Sequence, residues 1–127
     1  MSYFWIGLGS ALGGMARYGC SDLAARYLGT TFPWGTLIVN VSGSLIIGFL
    51  AALTVADGRF FMSPDARAFL MVGVCGGFTT FSALSLETLN LARDGQWTAV
   101  SANVVLTVVI CLVAVWLGYI AGAALNR

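Results

Sequence analysis

From Trp34 to Ala56, from Ala68 to Leu86 and from Trp97 to Asn126 the chain carries no charged side chain. Runs of this length and apolarity suit a hydrocarbon core about 30 Å thick, which takes about 20 helical residues to cross. Composition agrees: 59% of residues are hydrophobic, 9% are charged and the mean hydropathy is +0.91, outside the range of soluble domains. A further run, Tyr3 to about Cys20, is apolar but rich in glycine, with Gly9 and Gly13 spaced for close helix approach. The expectation is an all-α integral membrane protein with the lipid bilayer as its solvent. It forms one domain, residues 1–127, of four transmembrane helices at about 3–21, 34–56, 66–92 and 97–125.

Inside the third run, Gly76-Gly77-Phe78-Thr79-Thr80-Phe81-Ser82 is poor helix chemistry. Adjacent glycines lower helix propensity, and adjacent threonines add β-branched strain and hydroxyls that compete for backbone carbonyls. Irregular backbone survives at membrane depth only where protein or a water-filled path satisfies it. A break at 76–80 is therefore expected in mid-membrane, and it is the expected functional centre. The plainer alternative is a small-residue contact between unbroken helices.

The remaining chemistry is sparse. With no histidine and no lysine, the chain lacks the commonest general base, the commonest metal ligand and a Schiff-base amine. Cys20, Cys75 and Cys111 are odd in number and sit in apolar runs, so they read as small buried hydrophobes. A net charge of +1 offers nothing to nucleic acid. No cationic segment precedes Tyr3-Phe4-Trp5, against a cleaved signal peptide.

Polar residues within the runs are the candidates for function. Asn40 and Ser44 share a helix face, and Asn40 lies six residues past Trp34, about 9 Å below the surface at 1.5 Å per residue. Asn103, Thr107 and Cys111 form a stripe at four-residue spacing, either packing glue or the wall of a polar track. Arg17 either snorkels to the interface or draws an anion into a vestibule. Glu87 is at the interface or is a buried ion, with interfacial solvation expected. Arg59, Arg67 and Arg127 fall on the side of the termini and Arg17, Arg26 and Arg93 on the other. That balance gives the positive-inside rule no direction, so both insertions are expected and an antiparallel pair becomes possible.

These residues resemble the small bacterial fluoride channels of the Fluc/CrcB family. Gly35-Thr36-Leu37-Ile38-Val39-Asn40-Val41-Ser42-Gly43-Ser44 is similar to that family's second-helix motif, G-T-L-x-x-N-x-x-G-S/C. The Gly76 to Ser82 patch is similar to its G-G-x-T-T-F-S/T, with Glu87 where it usually has an acid; Arg17-Tyr18 and Val115-Trp116-Leu117-Gly118 also fit. The resemblance covers essentially the whole chain. It implies a fluoride-specific channel of the bacterial inner membrane that exports the ion passively. It further implies a dual-topology antiparallel homodimer with two pores. Asn40 and Phe81 match the pore asparagine and first pore phenylalanine, with Ser44 and Ser82 beside them on the fluoride pathway. The backbone carbonyls of Gly76 and Thr79 match a central structural Na+ site. Thr107 and Cys111 match the polar track, and Asn103 stands where a tyrosine is usual. The second pore phenylalanine is Leu84 here, and Cys111 replaces a better hydroxyl donor.

The chemistry is consistent with that implication. A pore for a small anion needs donors without a fixed counter-charge, so that the ion can leave. Asn40 offers N–H, Thr107 offers O–H and Phe81 offers the positive rim of its ring. Two rivals differ in class. A small multidrug-resistance-type exporter would need a membrane-embedded carboxylate, and a non-transporting scaffold would use the glycines only for packing. Enzymatic activity is not expected, since no nucleophile–base pair or metal cluster is present.

Overall fold

The computed structural model describes all 127 residues, and it is entirely helical. Helix α1 spans Ser2–Leu28 and stops at Gly29, whose φ of 82° few side-chain-bearing residues adopt. Helix α2 is Trp34–Leu53. Helix α3 covers residues 64–78 and starts on a built cap: Ser63 Oγ accepts from the Ala66 N–H at 3.2 Å, with Pro64 in the first turn. After one α turn, Ala68–Cys75 widens to a π-helix, and Gly76–Phe78 returns to α geometry. Thr79 and Thr80 are extended, with ψ of 157° and 117°, so helicity is lost at these two residues. Helix α4, Phe81–Arg93, restarts on Thr80, whose Oγ1 accepts from the Ala83 N–H at 3.1 Å. Helix α5 is Trp97–Leu125.

Three stretches are long and apolar enough to cross a membrane: Trp34–Leu53, Pro64–Arg93 and Trp97–Leu125, with mean hydropathies of 2.0, 1.7 and 2.7. Helix α1 is long, 27 residues, but glycines and Arg17, Asp22 and Arg26 dilute its apolar character.

The helices pair as α1 with α3 and α2 with α5, and glycines set both distances. A Cβ on Gly118 would fall on Leu45 O, and one on Gly48 on Val115 O. Across the other pair, Gly9 and Gly13 meet the backbone of Phe69 and Val74, and a Cβ on Gly77 would lie 2.9 Å from Ser10 Cα. In lipid no hydrophobic force pushes helices together, so backbone approach through small residues provides the packing. The pattern is therefore inverted relative to a soluble protein. The buried stripe of α5 is Asn103, Thr107, Ala114, Gly118 and Gly122, whereas its valines and leucines face outward.

Candidate functional site

The break leaves backbone groups to be satisfied, and α2 satisfies them. Asn40 Nδ2 donates to Thr80 O at 3.1 Å, and the Thr80 N–H donates to Asn40 Oδ1 at 2.7 Å. The buried amide thus acts as a surrogate peptide, holding both backbone groups of the residue that starts α4. Its second N–H is left over. Thr79 turns inward, its N–H and Oγ1 both donating to Cys75 O at 3.0 Å. Arg17, half-buried and without a carboxylate partner, donates from Nε to Gly77 O at 3.1 Å.

The carbonyls of Gly76 and Thr79 lose their usual donors four residues on. The Thr80 N–H is taken by Asn40 and the Ala83 N–H by Thr80 Oγ1. Gly76 is exposed, and a Cβ built there would meet nothing within 4 Å. These two acceptors border a groove of about 400 Å³ between α2, the break and α5. Asn40, Ser44, Phe81, Thr107 and Cys111 line it as well.

No charged residue lines the groove. Its polar groups are an amide, hydroxyls, thiols and peptide carbonyls, set among aliphatic walls. Thr107 Oγ1 is buried and has no partner in the chain. The Phe81 ring is 77% exposed, standing free at the edge of the groove, whereas Leu84 one turn on is buried.

Three of the sequence candidates lie elsewhere. Ser82 is outside the groove, but its Oγ is 3.2 Å from Thr80 Oγ1. Asn103, the most enclosed polar side chain, donates from Nδ2 to Thr88 Oγ1 at 3.0 Å while its Oδ1 has no partner. Arg17 grips the break from the α1 side. Glu87 departs from the solvated-interface expectation. Its Oε1 accepts from Thr36 Oγ1 at 2.8 Å and its Oε2 is enclosed without a partner. The cause is position: Thr36 and Asn40 occupy successive turns of α2, so α4 is fastened to α2 at both Thr80 and Glu87.

Sequence reasoning missed Thr80 as a site member, together with Thr36, Thr88 and the π stretch. The N-cap preference of a threonine placed just before Phe81 carried the only signal for the first. An extended Thr79–Thr80 pair marks the end of one half-helix and the start of the next.

Fold and site together define a polytopic α-helical membrane protein with an uncharged polar groove at a broken helix. The family model described as CrcB-like protein, Camphor Resistance (CrcB), matches residues 4–119. The chain belongs to this family. It is 53% identical over 127 residues to the fluoride-specific ion channel FluC of Methylocella silvestris, covering 100% of this chain and 97% of the relative. The protein of the same name from Opitutus terrae is 57% identical over 98% of this chain and 94% of its own length. That of Rhodospirillum rubrum is 53% identical, with 100% and 98% covered.

Proposed function

We propose that this chain is a fluoride channel, passing F− down its gradient and lowering cytoplasmic fluoride. It is a multi-pass protein of the bacterial inner membrane. The observation that carries the channel reading is the uncharged groove of about 400 Å³ lined by Asn40, Thr107 and Phe81. A dehydrating anion needs N–H, O–H and ring-edge partners. Without a fixed cation in the groove, each contact is weak enough to release it. Asn40 is held by Thr80, so its free N–H is presented at a defined point rather than on a mobile side chain. Thr107 contributes a hydroxyl with no competing partner.

The assembly belongs to the same proposal: two copies inserted in opposite directions, each crossing the membrane four times with α1 as the first span. Support comes from the even split of arginines and from a groove open along one side, where Phe81 stands exposed. A second copy covers that side and makes two pores. A structural Na+ between the copies fits the donor set, since Gly76 O and Thr79 O have lost their helical N–H partners and are hard, neutral acceptors. Two oxygens per chain are too few for such an ion, and two copies double them. When bound, the ion would supply positive charge between the pores. Arg17 occupies Gly77 O, so Gly76 O and Thr79 O are the acceptors that would hold the ion.

A proton-coupled exporter would need a carboxylate in the groove, and none lines it. The test is efflux from liposomes followed with fluoride and chloride electrodes side by side. Fluoride but not chloride should leave, independently of a proton gradient, and Asn40→Asp should stop it by placing a negative charge in the path. Fluoride retained by the native protein would refute the reading.

A further inference from the structure

A second groove, of about 590 Å³, lies at the opposite end of α2 from Trp34 and is unrelated to the break. It runs between Thr54, the C-cap of α2, and the start of α3, and its walls are Val55, Phe60, Phe61, Met62 and Pro64. Arg67 supplies its charge. Its Nη1 donates to Thr54 O at 2.9 Å and to Thr54 Oγ1 at 2.6 Å, which fixes the guanidinium against the helix end. The other guanidinium nitrogens make no hydrogen bond in the chain, and the chain's only ion pair is Arg26 with Asp22. Arg67 is thus a half-buried, oriented cation without a counter-ion.

The surroundings say what kind of counter-ion fits. Arg67 lies at the beginning of the span Pro64–Arg93 and beside the end of the span Trp34–Leu53, where both chain segments leave the membrane. Phe61 is 89% exposed and Phe60 45%, large apolar groups next to a fixed charge. A soluble anion would gain nothing from those rings. A molecule with a phosphate at one end and hydrocarbon at the other uses both.

We propose that this groove binds one anionic phospholipid per subunit, its phosphate on Arg67 and its glycerol and upper acyl carbons along Phe60, Phe61 and Val55. The site is independent of the fluoride reading. Arg59 and Arg127 on the same end are balanced by Asp57 and Asp65, so the preference for an anionic over a zwitterionic headgroup rests on the unpaired Arg67 itself.

Native mass spectrometry of the full chain, after incubation with phosphatidylglycerol or phosphatidylcholine, tests this. Phosphatidylglycerol should be retained at one per subunit in preference to phosphatidylcholine, and Arg67→Gln should weaken retention about tenfold or more. Because Arg67 also holds Thr54, the pair Phe60→Ser and Phe61→Ser, on an exposed loop, should independently weaken retention. Arg93→Gln at the other end should not. Equal retention of the two lipids, undiminished retention in the variants, equal loss in Arg93→Gln, or displacement by millimolar inorganic phosphate would each overturn the proposal.

Discussion

Asn40→Ala removes the side chain that pairs with both backbone groups of Thr80 at the break. In the native chain the amide makes two hydrogen bonds to Thr80, at 3.1 and 2.7 Å, from a residue only 7% exposed. Alanine leaves a peptide N–H and a C=O unpaired. Each such group costs roughly 1–3 kcal/mol when buried. Thr80 is half-buried, so the lower half of that range applies to each group and the two together come to about 2–4 kcal/mol. At about 1.4 kcal/mol per decade this is roughly 30- to 700-fold in the opening equilibrium of the segment. Hydrogen exchange of peptides spanning residues 76–86, measured in detergent or nanodiscs, reads it directly. Exchange at the start of α4 should accelerate by that factor, while α2 and α5 amides near Gly48 and Gly118 hold their native rates. Unchanged protection at Thr80 would mean that the break is held by something other than Asn40.

Gly118→Ala should lower thermal stability by about 1–3 kcal/mol, because its Cβ meets Leu45 O and only separation of α2 from α5 relieves it. Gly14→Ala, with nothing within 4 Å, should leave stability unchanged or raise it by up to about 1 kcal/mol, both followed by tryptophan fluorescence. Leu84→Phe should retain fluoride efflux, its ring turning into the groove; a large loss with the protein still folded would show that the site is packed around leucine. In a Cys20→Ala, Cys75→Ala background, Cys111 should react with small methanethiosulfonates, and modification should block efflux; rapid reaction without block would place Cys111 off the ion path.

The apolar runs were legible because a bilayer imposes a length and forbids charge, two properties read directly from residue order. The poor helix chemistry at Gly76 to Ser82 was legible for a similar reason, since local propensity is written in adjacent residues. The partners of Asn40 and Glu87 were not. Which backbone group an amide meets, and whether a carboxylate oxygen is enclosed, depends on two helices brought side by side, and spacing within one helix carries no such information. Asn103 shows the limit well. It continues the stripe of Thr107 and Cys111 along α5, yet it is buried against Thr88 instead of opening on the groove, because α4 covers that turn.

By itself, then, the order of residues determined a helical membrane chain, its family and the stretch where helical geometry is weakest. Those properties follow from hydropathy, local backbone preference and motif. The tertiary structure alone decided that helicity is lost at Thr79 and Thr80, that Asn40 satisfies the gap, and that Asn40, Phe81, Thr107 and Cys111 border one uncharged groove. Hydrogen bonds and enclosure are relations between segments, settled only when glycines let the helices approach closely enough to make them.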